Sequence, residues 1–239
     1  MDTTPSKSRR VFLKAALGSG VLLPGCGELS GNGKGEKPAV GKDKEPDVAP
    51  PEDLMREHGV LKRVLLVYGE AIQRLDANSD LSPDALSNAA AIVRSFIEDY
   101  HEKLEEDHLF PRFRQANKLV DLVDVLTQQH QAGRKLTDTT LRLANLQSMK
   151  GADDRHALAE SLRKFIRMYS PHEAREDTVL FPALRKIVSA HEFDSLGEDF
   201  EKKEHELFGE DGFEKMVDRV AGIEKALGIY DLSQFTPRE

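Results

Sequence analysis

Tryptophan is absent from these 239 residues, cysteine occurs once, and aromatic residues make up only 6%. A single thiol permits no internal disulfide, which excludes a disulfide-stapled scaffold. No apolar run approaches the roughly 20 residues needed to cross a bilayer, so a polytopic membrane protein is excluded too. The 17 glycines and 11 prolines show no three-residue period, which removes a collagen-like chain. Basic residues are in deficit, with 34 Lys plus Arg against 42 Asp plus Glu and a formal charge of −8. A negative surface repels phosphate, so no nucleic-acid partner is expected. What is present is a chain 39% hydrophobic and 32% charged, long enough for one generous domain or two small ones.

The first fifty residues read as an address and a tether. Ser8-Arg9-Arg10-Val11-Phe12-Leu13-Lys14 precedes a short apolar stretch from Ala15 to Leu23, then Leu23-Pro24-Gly25-Cys26. A basic start, a brief apolar run and small residues before a cut describe an export signal at 1–25. The seven-residue string resembles the twin-arginine export signal, and Leu23–Cys26 resembles a lipobox, with Pro24 in place of the usual small residue. The resemblance implies an exported protein on the outer side of the cytoplasmic membrane (periplasm or cell surface), held there through lipidated Cys26. It also implies transport of a chain already folded, often around a metal or cofactor. Residues 26–51, rich in Gly, Pro and charge, bury too little apolar surface to offset their ordering entropy and read as a flexible linker.

Downstream, four long helices are predicted. From Pro50-Pro51, which suit a helix start, one face repeats in steps of four and three: Leu54, His58, Leu61, Leu65, Tyr68, Ile72, Leu75. Ser82 is the expected N-cap of the second helix, about 83–115, with Leu86, Ala90, Val93, Ile97, His101, Glu105 and His108 on its stripe. A third helix, about 118–147, carries Leu119, Val123, Leu126, His130 and Gly133, and a fourth, about 154–189, carries Leu158, Leu162, Phe165, Tyr169, His172, Glu176 and Val179. This period is that of apolar stripes packed in a bundle, so the polar members of each stripe point inward. Phe213, Met216, Val220, Ile223 and Leu227 form a further stripe before Gly228, and the acids between 198 and 214 read as a solvated face.

The two halves repeat. His58 and His130 are 72 residues apart, His101 and His172 are 71 apart, and His101-x3-Glu105-x3-Leu109-Phe110-Pro111 matches His172-x3-Glu176-x3-Leu180-Phe181-Pro182. This is a tandem helical hairpin. Counting from each hairpin turn at about 1.5 Å per residue puts all four imidazoles at nearly one height, roughly 25–29 Å above the turns. Each glutamate sits one turn beyond its histidine on the same face. Six unpaired polar groups in a core would each cost on the order of 1–3 kcal/mol, a penalty that a metal removes. Mixed nitrogen and carboxylate donors suit iron, manganese or zinc rather than calcium. His58, His101, Glu105, His130, His172 and Glu176 exceed the needs of one tetrahedral zinc and match two carboxylate-bridged metals. His156, His191 and His205 lie near helix ends or in acidic stretches and read as solvent-facing or capping. His108 lies on the stripe, but the repeat has Val179 there, which leaves it a supporting or access role.

This constellation resembles the hemerythrin-like family, the HHE cation-binding domains, over about residues 52–189, and the acidic extension 190–239 resembles that behind some bacterial members. The resemblance implies an all-α, up-down four-helix bundle holding a non-haem di-iron centre. His58, His101, His130 and His172 would be terminal ligands, Glu105 and Glu176 would bridge, and Asp177 is an alternative bridge. Two irons (or manganese, which the donor set also suits) with one oxo or hydroxo bridge would retain about two open positions for a diatomic or peroxide ligand. Oxygen carriers of the family have a further histidine where this chain has Arg134, which weakens a simple carrier reading. Binding of dioxygen or a related oxidant, in sensing or buffering oxygen, iron or nitric oxide, ranks ahead of peroxide or nitric oxide reduction, because no second redox motif is visible. A metal-free structural bundle ranks lower. A ferritin-like iron oxidase is set aside because the third-helix stripe lacks a glutamate.

Overall fold

The computed structural model describes residues 48–237. The twin-arginine-like string, Cys26 and most of the linker lie outside the described residues. Among those described there is no strand, and no helix is long and apolar enough to cross a membrane.

Six helices follow in order among the described residues: the four long ones and the final stripe that the sequence predicts, and one more, Ala190–Phe208, that it does not. Helix α1 spans Pro50–Asp76 and opens with proline in its first turn, where a missing N–H costs nothing. Helix α2 begins at Pro83 behind Ser82, whose side chain accepts from the Ala85 N–H, and runs without a break to Gln115. Helix α3 spans Val120–Leu143, and α4 runs from Ala152 to Leu184. The extension forms α5, Ala190–Phe208, and α6, Gly212–Leu227.

Three predicted boundaries move for local reasons. Asn117 and Leu119 adopt left-handed backbone, so α3 starts at Val120 rather than 118. The Asn145 side chain accepts from the Gln147 and Ser148 N–H groups, an Asx turn that stops α3 at Leu143 rather than 147. Past Leu184, Ser189 caps α5 through a reciprocal pair with Glu192, so the fourth helix ends before 189.

Helices α2 and α4 are not uniform. Wide π turns occupy Val93–His101 and Glu105–Leu109 in α2 and Glu176–Leu180 in α4. The Phe110 N–H reaches the Glu105 carbonyl, and the Phe181 N–H reaches that of Glu176, five residues back. Pro111 and Pro182 follow directly. Proline has no N–H to donate and its ring crowds the carbonyl four residues earlier, and a widened turn makes room for it. The repeated Leu-Phe-Pro tail thus places a wide turn at each of the two core glutamates.

The core is built in layers along the bundle. Tyr68, Phe96, Tyr100, Phe165 and Tyr169 are fully buried beneath the histidines, and Phe110, Phe113 and Phe181 close the layer from above. Phe181 stacks on His58 and Phe110 on His130, each at 5.5 Å between ring centroids. The extension lies against the first two helices. Arg63 Nε donates to Glu224 at 3.0 Å, Arg74 Nη2 donates to the Leu227 carbonyl at 2.7 Å, and Phe208 meets Phe96 and Tyr100 edge-on. The acids of 198–214 are not all solvated. Glu204 is buried because its Oε1 accepts from the Phe213 N–H at the α5–α6 turn, where the start of α6 has donors to satisfy.

At Gly133 α3 lies close against Tyr169 of α4. A Cβ there would lie 2.0 Å from the Tyr169 hydroxyl. Gly133→Ala is therefore expected to destabilise the fold by about 1–3 kcal/mol through overpacking. Tyr169→Phe in the same background should recover part of the loss. Urea denaturation of the three chains checks this, and an unchanged midpoint for Gly133→Ala would refute the close approach.

Candidate metal centre

All six predicted residues meet in one layer. His58 comes from α1, His101 and Glu105 from α2, His130 from α3, and His172 and Glu176 from α4, and none is more than 4% exposed. The rings pair closely, with centroids 4.6 Å apart for His58 and His101 and 5.0 Å apart for His130 and His172. The carboxylates lie across these pairs rather than within them. Glu105 Oε2 is 3.9 Å from His101 Nε2 and 3.4 Å from His130 Nε2. Glu176 Oε2 is 3.4 Å from His58 Nε2 and 3.2 Å from His172 Nε2.

Which ring nitrogen faces inward is set by an outer ring of acceptors. His58 Nδ1–H donates to Asp177 at 2.7 Å, His101 to Glu57 at 2.7 Å, His130 to Glu106 at 3.1 Å, and His172 to the Gln129 side-chain oxygen at 2.8 Å. Carboxylates and amide oxygens only accept, so the proton belongs on Nδ1 and the lone pair on Nε2. Four lone pairs and two carboxylates then confront one another with no hydrogen between them. Accordingly, His101 Nε2, His130 Nε2 and both oxygens of Glu105 and Glu176 are buried without a hydrogen-bond partner. Acceptors of this kind, with Nδ1 held by carboxylates, are the donor set of a transition-metal site, and the residues present fit one. His130, His172 and Glu176 already offer ligand atoms within 4.8 Å of one another.

The same crowding of acceptors appears in the electrostatics. Burial, aided by the charge of Glu176, pushes the Glu105 carboxyl up to about 8. Burial would also raise Glu176, but His172 and His58 outweigh it and hold that carboxyl below the ordinary range. For His58 burial works downward, yet the hydrogen bond to Asp177 and the neighbouring Glu176 carboxylate carry it up to about 10. Partial burial would raise Glu106, but hydrogen bonds from His130, Arg134 and Lys103 hold it at about 2. Positive charge is thus drawn into the layer, as protons where no cation supplies it.

Other sequence readings resolve here. Glu176 faces inward while Asp177 turns to His58 Nδ1 and to Lys62 at 3.4 Å, so Asp177 stands behind a histidine rather than between the pairs. Arg134 turns outward and joins Glu102 and Glu106, each at 2.8 Å. His108 leaves the layer; its ring meets Phe200, and it lines a groove between α2 and α5 with Lys103, Asp107, Asp199 and Lys203. His156 and His191 are exposed and His205 is half-buried.

Apart from Asp177 and Arg134, the outer ring has no place in the sequence expectations, although the repeat marks it. Glu57 and Gln129 precede the lone histidines; Lys62 and Arg134 follow them by four; Glu102 and Glu173 follow His101 and His172; Glu106 and Asp177 follow the core glutamates. Each pair obeys the spacing of 72 or 71 already seen for the histidines. Acids normally meet water, yet Glu57, Glu102 and Glu173 are buried.

Because Glu105 and His58 hold protons well above the usual carboxylate and imidazole ranges, those protons compete with a cation. Loading with a divalent metal is expected to release protons, and affinity to be weaker near pH 6 than near pH 8. Calorimetry in buffers of different ionisation heat measures both quantities. A pH-independent affinity without proton release would show that these groups do not face the bound ion.

Comparison with known proteins places part of this bundle in a described family. Residues 49–149 match the family model described as the hemerythrin HHE cation binding domain. Uncharacterized protein Rv1995 of Mycobacterium tuberculosis and uncharacterized protein Mb2018 of Mycobacterium bovis are each 51% identical over 242 residues, covering 99% of this chain and 94% of theirs. No solved structure matches. The chain belongs to one family with these mycobacterial proteins and carries, within its helical bundle, a hemerythrin HHE cation-binding domain.

Proposed function

We propose that the protein holds a non-haem di-iron centre and binds dioxygen or a related small oxidant. In this reading His58 and His101 would hold one iron, His130 and His172 the other, and Glu105 and Glu176 would be shared between them. The observation that carries it is the set of buried, unpartnered acceptor atoms on the two glutamates, each lying across both histidine pairs. Bound iron would supply reversible one-electron chemistry and open positions for a diatomic or peroxide ligand.

The chain's own residues do the rest. Asp177, Glu57, Glu106 and Gln129 fix the tautomer and direction of the four imidazoles. Phe110 and Phe181 stack on the rings from above and keep bulk water off that side. The twin-arginine-like string and Cys26 support a place outside the cytoplasmic membrane, tethered by lipid, where sensing or buffering of oxygen, iron or nitric oxide would act.

Reduction of peroxide or nitric oxide is the second reading. It is favoured by one observation, the outward turn of Arg134, which withdraws a side chain from the His130–His172 side.

Metal analysis of gently purified protein, with optical spectra before and after admitting air, tests the proposal. About two irons per chain and an air-dependent spectrum are expected, with a clear fall in melting temperature on chelation. His172→Ala and Glu105→Ala should each lower iron content; full occupancy in both variants, or no metal in the parent, would overturn the ligand assignment. Peroxide turnover well above that of free iron would favour the second reading over the first.

A further inference from the structure

The outer ring repeats in position but not in charge. Glu57 reaches across the first hairpin to His101, and Gln129 reaches across the second to His172, from equivalent places 72 residues apart. In the His58–His101 pair both Nδ1–H groups donate to carboxylates, Asp177 and Glu57, each at 2.7 Å. In the His130–His172 pair one donates to Glu106 at a longer 3.1 Å, and the other meets the neutral amide of Gln129. The flanking bases widen the difference. Glu106 is ion-paired to Arg134 at 2.8 Å and to Lys103 at 3.1 Å, whereas Asp177 has Lys62 at 3.4 Å, a side chain half exposed to water. A carboxylate behind an imidazole pulls on its Nδ1 proton and strengthens Nε2 as a donor; an amide, or a carboxylate already shared with a guanidinium, pulls less.

We infer that the two metal positions are inequivalent, with Glu57 and Gln129 as the positioning residues that set them apart. The His58–His101 position binds a divalent cation more tightly, fills first and favours the more oxidised ion. The His130–His172 position fills second and empties first. This rests on the two-metal reading above, but it concerns the difference between the positions and not their existence.

Anaerobic titration of the full chain with Co(II), a redox-quiet probe whose absorption reports its ligands, tests it. Two steps separated by roughly tenfold or more in affinity are expected, the scale on which such partners act. His101→Ala should abolish the tight step and leave the weak one, and His172→Ala should do the reverse. Glu57→Gln, nearly isosteric, should weaken the tight step by about 10-fold or more without altering the other. Gln129→Glu should strengthen the weak step and narrow the gap. Gln129 is only half-buried, so the added carboxylate does not threaten the fold. Two ions bound in a single indistinguishable step, or a gap that Gln129→Glu and Glu57→Gln leave unchanged, would overturn the inference while sparing the two-metal reading. Saturation at one ion or none would overturn both.

Discussion

Six acceptor groups face one another in the middle of this bundle, where water cannot reach to solvate them. Four imidazole lone pairs and two carboxylates in such a place repel unless positive charge stands between them. Much of the surrounding design follows from holding that arrangement together. The Nδ1 partners choose the tautomer, the bases behind them neutralise carboxylates that would otherwise be buried with like charge, and the phenylalanines above and tyrosines below keep the rings from turning. Two of the tyrosines also donate to this outer ring, Tyr100 to Glu57 and Tyr169 to Glu102.

The duplicated hairpin explains how so many polar groups come to one level. A residue and its counterpart in the second half sit at the same height on equivalent helices, so doubling one His/Glu helix and one His helix yields a closed ring. The duplication also doubles the Leu-Phe-Pro tail. A wide turn sits at the core glutamate before each proline, and each phenylalanine lands over the lone histidine of the other hairpin. Divergence between the halves then shows in what stands behind the histidines: glutamate against glutamine, lysine against arginine, aspartate against glutamate. The ring itself stays symmetric while its electronic surroundings do not.

The extension is joined to this chemistry through packing. Phe208 from α5 rests on Tyr100, Tyr100 donates to Glu57, and Glu57 holds His101. Three contacts thus lead from the outer helices to one imidazole. Arg63 with Glu224 and Arg74 with the end of α6 fasten the same helices to α1, the helix that carries His58.

The four bundle helices, their inward stripes and the six inner residues were legible in the sequence because they obey two periods. One is the four-and-three step of a buried helix face, and the other is the 72- or 71-residue repeat. Both are properties of the chain alone, read without knowing what packs on what. The outer ring obeys the long period as well, but Glu57, Glu102 and Arg134 are of residue types that normally meet water. Only packing α1 on α2, and α3 on α2 and α4, reveals that they are buried or paired. Likewise His108 keeps step with His101 in a straight helix, but it lies within the wide turn Glu105–Leu109 and its ring meets Phe200. The choice of Glu176 over Asp177 for the interior, adjacent residues of like charge, was also decided in tertiary structure, because His58 on another helix offers Asp177 a proton and draws it outward.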